Sequence, residues 1–238
     1  MSKKTALIGF LGITFMSLGF AKESTSQKKG ETKIYESTFK LMMGTTPYGD
    51  YEEKLYLENG DYRFEYLLSI GSEGGEKRSE ALVAFAKKDP ELTPVRYSLT
   101  FEIPGKVSQE EHWIRGEAQK DKFKIQTRVG TNGMEYDRKF STGVILSSFL
   151  PLKLLNTGGL KTGSVVQFQA LDEEGKIGGF KPVGGTAKIG DMEKVDGVDA
   201  RKIEVIWGGV ASVFWVKSDG SLAKMTSPST KLTLKRIQ

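Results

Sequence analysis

One histidine is available for acid–base or metal chemistry: His112, set between Glu111 and Trp113. A lone imidazole builds no multi-histidine zinc site. As the base of a serine triad it would need a placed nucleophile, and the elbow motif that exposes such a serine is missing. His112 therefore reads as a surface strand residue with Trp113 packing beneath. Carboxylates neighbour one another at Glu52 and Glu53, at Glu110 and Glu111, and at Asp172, Glu173 and Glu174. Adjacent strand residues point to opposite faces, whereas glycosidase chemistry needs two carboxylates held at a set separation across a sugar. The Asp172 trio precedes Gly175 and reads as solvated turn charge. The glycine-rich run Gly178 to Gly185 lacks the Gly-Lys-Ser/Thr ending of a phosphate cradle, and no helix start follows it. It reads as a flexible hairpin loop. Asp191, Glu193, Asp196 and Asp199 do not follow calcium-loop order. With no cysteine in the chain, thiolate ligands, thiol nucleophiles and disulfides are excluded. No catalytic site assembles from these residues, and no cofactor or metal is expected.

What remains is the chemistry of apolar surface. The segment from Phe140 to Leu160 carries more apolar side chains than a connection needs, and Trp207 and Trp215 add aromatic surface farther on. Phe140, Ile145, Leu146, Phe149, Leu150, Leu154, Trp207 and Trp215 are the candidate contacts for an apolar ligand. The competing reading makes them the core, because packing a helix on a sheet is how ordinary domains bury their apolar faces.

The elements that would position these groups are mostly strands. Tyr62, Phe64, Tyr66, Leu68 and Ile70 share one face of a strand, and Arg63, Glu65 and Ser69 share the other. Asn59-Gly60 joins this run to Tyr51–Leu57 as a hairpin, since both turn residues tolerate positive φ. Further strands are expected at 33–43, 81–86, 96–103, 111–116, 122–129 and 165–171. Strands are also expected over 185–195, 200–207, 210–217, 221–226 and 231–237, and turn signals at Gly208-Gly209 and Ser218-Asp219-Gly220 separate three of them as a meander. The glycine count of 28 suits tight turns and bending strands. The exception is Val144–Leu155, which predicts a short helix, apolar nearly all round and capped by Thr142, with Pro151 as a kink or break. The fold class expected is mainly β: a curved antiparallel sheet or incomplete β-barrel with one short central helical segment.

Lys3 and Lys4 followed by the apolar run Thr5 to Phe20, with Gly19 and Ala21 at the cleavage positions, form a secretory signal over residues 1–21. An extended leader is expected over 22–32 and a single β-rich domain over 33–238. The apolar run is shorter than the ~20 residues of a membrane span, so no stable membrane span is expected after cleavage. The formal charge of +5 loses Lys3 and Lys4 with the signal and falls to +3, with both signs interleaved. No stripe of Lys and Arg with adjacent aromatics marks a nucleic-acid surface. The protein is expected to be exported, to the periplasm or beyond.

Three pieces carry a resemblance. Leu160-Lys161-Thr162-Gly163 leads into Val165-Val166-Gln167-Phe168; Val195-Asp196-Gly197 leads into Arg201 to Val205; and Phe214-Trp215-Val216-Lys217-Ser218-Asp219-Gly220 ends a strand in a turn. In these the last hundred residues or so resemble bacterial exported proteins of uncharacterised function that stand in front of transglutaminase-like domains. A strand ending in Trp-Val before an Asp-Gly turn is also similar to half-barrel carriers of the lipoprotein-localisation type. The resemblance implies a curved sheet with a helical segment across its concave side, and no catalytic residues. The expected function is an exported, non-enzymatic binding module for an apolar or amphipathic partner such as a lipid, acyl chain or lipoprotein. The alternatives are a structural protein of the cell envelope that docks another protein and, more remotely, a hydrolase of envelope polymer.

Overall fold

A computed structural model describes residues 30–71, 78–102, 112–120, 122–157 and 161–237. The expected signal segment and most of the leader lie outside the described residues, as do Ile103, Glu110, Glu111 and Leu160. Eight strands come first: β1 (Glu31–Met43), β2 (Thr46–Glu58), β3 (Asp61–Ile70), β4 (Arg78–Lys87), β5 (Pro94–Glu102), β6 (His112–Gln119), β7 (Lys122–Val129) and β8 (Asn132–Arg138). After β9 (Val144–Leu146), a 3₁₀ turn (Ser147–Phe149) and α1 (Leu150–Asn156), the chain continues as β10 (Val165–Leu171), β11 (Val183–Val195), β12 (Val198–Trp207), β13 (Val210–Val216), β14 (Leu222–Ser227) and β15 (Leu232–Arg236).

These strands form one sheet in the order 8-7-6-5-4-3-2-1-15-14-13-12-11-10-9. The chain enters at the centre with β1 and walks outward to β8. It then crosses to the opposite edge at β9 and walks back until β15 pairs antiparallel with β1. Every ladder is antiparallel except β9 on β10. Flat, fifteen strands at about 4.8 Å spacing would hold β8 and β9 more than about 60 Å apart. The connection between them is residues 139–143, which reaches about 20 Å at most. The sheet must therefore roll until its two edges approach, and it does so without joining them into a closed ladder. Near the gap, Phe180 of the loop before β11 lies 5.2 Å from the Tyr136 ring, and Arg138 Nε donates to the Phe180 carbonyl at 3.1 Å.

Alternation sends one side of each strand inward. Phe39 and Leu41 of β1, Leu55 of β2, Phe64 of β3, Leu82 and Ala84 of β4 and Leu99 of β5 are buried and belong to one core cluster. The opposite face is wet and ionic; on it Arg63 bridges Glu31 at 2.9 Å and Glu58 at 2.7 Å, and also pairs with Glu65. Asn59 (φ 51°) and Gly60 (φ 89°) make the expected hairpin turn.

The central segment differs from the expected continuous helix. Val144–Leu146 are taken by β9, and the α-helix begins only at Leu150, with Pro151 in its first turn, where a missing N–H costs nothing. The cap is not Thr142. Glu173, from the turn after β10, accepts hydrogen bonds from the backbone N–H groups of Ser147 and Ser148, both at 3.1 Å. The helix is apolar because it plugs the hollow of the rolled sheet: Leu150, Leu152 and Leu154 are buried, and the Phe149 ring lies 6.0 Å from that of Phe64. No helix among the described residues is long and apolar enough to cross a membrane.

Candidate ligand-binding site

The structure brings together seven of the eight candidate residues, all but Trp215. Ile145, Leu146, Phe149, Leu150 and Leu154 are buried and close-packed, and Phe140 stacks on Phe123 with centroids 4.9 Å apart. Trp207 is half-buried at the inner end of β12, where its indole N–H donates to the Val183 carbonyl at 3.1 Å. Trp215 falls on the other face of β13 from Phe214. Its indole N–H donates to Glu193 at 2.9 Å, and the Lys224 ammonium sits 5.1 Å above its ring.

Two hollows accompany this core. The larger, about 710 Å³, runs beside β9 and β10 over the backbone of Gly184, Gly185, Gly208 and Gly209, with Ile145 in its wall. Its charged side chains, Lys153 and Glu91, pair with each other at 3.1 Å. The smaller, about 350 Å³, lies inside the roll, between the inner faces of β2–β4, the 3₁₀ turn and the inner faces of β13–β15. That volume sits at the lower end of the roughly 300–1,000 Å³ typical of ligand pockets. Phe64, Leu68 and Leu82 form one apolar wall, and Phe214, Met225, Leu232 and Leu234 form the other. The central segment contributes Ser147, Ser148 and Pro151 rather than its large apolar side chains.

Polar groups converge on this inner hollow. Glu53 is 3% exposed; Oε1 accepts from the Leu222 N–H and Oε2 from the Tyr51 hydroxyl, both at 3.3 Å. Burial pushes its carboxyl up to about 7, against the opposing pull of those donors and of Arg236. Burial likewise raises Glu80, helped by the charge of Glu174, and raises the phenols of Tyr51 and Tyr66 well above their ordinary range. Asp172 and Glu173 are 8% and 3% exposed, which overturns the reading of solvated turn charge for these two, while Glu174 stays partly exposed and pairs with Lys176. The first two are buried because each caps backbone: Asp172 accepts from the N–H groups of Glu174 and Ile177, and Glu173 from those of the 3₁₀ turn. Burial raises both carboxyls while these donors oppose it. The run 178–185, expected as a loop, is strand from Val183 on, and Phe180 in the loop before it docks into the core.

Glu53 and Glu80 carried a signal in the sequence. Each stands in phase with apolar residues, Glu53 between Tyr51 and Leu55 and Glu80 with Leu82 and Ala84, so period two places both carboxylates on the inner face. Glu173 had none, because its partners lie some 26 residues earlier in the chain. His112 pairs with Phe101 across β5 and β6 and is half-buried. Among the described residues no cluster of three or more His, Asp or Glu side chains is placed to hold a metal ion.

No family model matches this sequence, and no curated protein matches it. Among solved structures the chain is similar to the crystal structure of a β-barrel-like protein of a domain of unknown function, DUF1849, from Brucella abortus. The TM-score is 0.59 at 12% identity, over 85% of this chain and 95% of that one. At that identity the likeness is one of fold: a β-rich, barrel-like chain.

Proposed function

We propose that the protein is a non-enzymatic binding module that accepts an apolar or amphipathic ligand inside its rolled sheet, in the hollow between Glu53 and the 3₁₀ turn. The observation that carries this reading is the inner hollow itself: about 350 Å³ left open inside the rolled sheet, with two apolar walls and a few convergent polar groups, the usual composition of a ligand site. The signal-like residues 1–21 and the resemblance to exported proteins support action outside the cytoplasm, and the half-barrel likeness supports a carrier or sensor of lipid, acyl chain or lipoprotein. Mass spectrometry of small molecules extracted from residues 22–238, purified from an envelope fraction without detergent and compared with a mock purification, tests it. A defined species at near-stoichiometric amount supports the reading; an empty protein counts against it.

One observation favours docking of an envelope protein as a second reading. β9 covers only Gln169–Leu171 of β10, so among the described residues Val165–Phe168 have no ladder partner on that side. Such an edge invites an added strand. Crosslinking in envelope extracts that traps one reproducible partner along β10 would favour it.

A further inference from the structure

The charges around the inner hollow are of one sign. Glu53, Asp172, Glu173 and Glu174 line it, and among the described residues no lysine, arginine or histidine does. Lys176 pairs with Glu174, Arg78 pairs with Glu80 at 2.6 Å, and Arg236 acts on Glu53 from β15, yet none of the three cations reaches the lining. Aromatic rings share the space: Tyr51, Phe64, Tyr66 and Phe214 line it, with the Tyr51 and Tyr66 rings 5.6 Å apart. Carboxylates beside aromatic faces attract an ammonium group by charge-assisted hydrogen bonds and by cation–π contact. An anionic head would meet like charges and lose its water with no cation to replace it.

Ser37, Glu80 and Tyr97, deeply buried on the inner face, each carry one oxygen with no hydrogen-bond partner. Ser37, 1% exposed, stands directly across from Glu53 in the β1–β2 ladder, and its Oγ has no partner. Glu80, 2% exposed, stands across from the lining residue Leu68, and its Oε2 has none. A buried acceptor without a donor is costly, but none of these three residues lines the hollow, so the case for the head group rests on the carboxylates and rings that do.

We propose that the ligand of the inner hollow is a cationic amphiphile: a short alkyl body ending in a primary ammonium group, the head seated by Glu53, Tyr51 and Tyr66, the body along Phe214 and Met225. This rests on the reading of the hollow as a ligand site and adds the sign of the head group. Three probes that share one chain separate the two ideas: octylammonium, octanol and octanoate, titrated calorimetrically into the purified protein at pH 8. Octylammonium is expected to bind about tenfold or more tighter than octanol, and octanoate more weakly than either. Glu53→Gln should erase most of the preference for the amine over the alcohol, and Glu174→Gln, at the partly exposed rim, gives a second reading of the same charge dependence. Equal binding of amine and alcohol, or tightest binding of octanoate, overturns the cation proposal and leaves the hollow standing. No binding of any of the three overturns the ligand-site reading itself.

Discussion

Replacing Glu53 by glutamine tests the electrostatics of the inner wall most directly. The side chain sits on the buried face of β2, accepts only two long hydrogen bonds, and has its carboxyl lifted from the usual 4.5 to about 7 by loss of water. Below pH 4.5 the group is protonated in the folded and the unfolded chain alike. Between 4.5 and about 7 the folded chain keeps a proton that the unfolded chain has released, so stability falls as pH rises through that window. Above it the loss is complete. The span from 4.5 to about 7, at about 1.4 kcal/mol per pH unit, amounts to about 3 kcal/mol. Glutamine is shaped like the protonated acid and does not titrate, so it escapes this loss. Urea unfolding followed by tryptophan fluorescence from pH 4 to 8.5 should show Glu53→Gln close to wild type at the acid end and more stable by about 3 kcal/mol at pH 8. Asp172, Glu173 and Glu80 are shifted in the same direction, but they are present in both proteins and cancel in the difference. Parallel stability curves, or a variant less stable than wild type at pH 8, would refute the argument that Glu53 is held in place at the cost of its charge.

Three further expectations follow from the packing. Phe149→Ala empties a site that is 1% exposed and should cost about 3–5 kcal/mol in chemical denaturation, whereas Phe214→Ala, at a half-buried lining position, should cost less and remove ligand binding. Glu173→Ala leaves the two backbone N–H groups and the hydroxyl at the start of the 3₁₀ turn without their acceptor; a loss of about 1–3 kcal/mol and faster amide exchange over 147–156 are expected. At Gly116 a Cβ would stand inside van der Waals contact of the Tyr97 and Phe123 rings, so Gly116→Ala should lower stability by about 1–3 kcal/mol through overpacking, read from the urea midpoint.

Much of the fold was legible in short stretches of chain. Period two across Tyr62–Ile70 and Lys122–Val129, and the Asn59-Gly60 and Asp196-Gly197 turns, give strand positions, inward faces and hairpin partners, because pleat and turn geometry depend on a few adjacent residues. β8 was not legible: Asn132–Arg138 carries only Met134 and Tyr136 as large apolar or aromatic side chains, and it is a strand because β7 offers it a ladder. The apolar run at 144–155 marks burial but carries no period that separates the three residues that pair with β10 from those that coil, and contact with β10 decides it.

The sequence by itself determined a mainly β chain with a single apolar central segment, and excluded thiolate chemistry and any multi-histidine site. Only the tertiary structure decided that β1 and β15 close the middle of the sheet, that the sheet rolls around α1 without sealing, and that Asp172 and Glu173 are buried beside the hollow instead of solvated. Local patterns record which face of a strand avoids water. They do not record which distant face it meets, and the burial of Glu53 and Glu173 depends on strands and turns brought together from opposite ends of the chain.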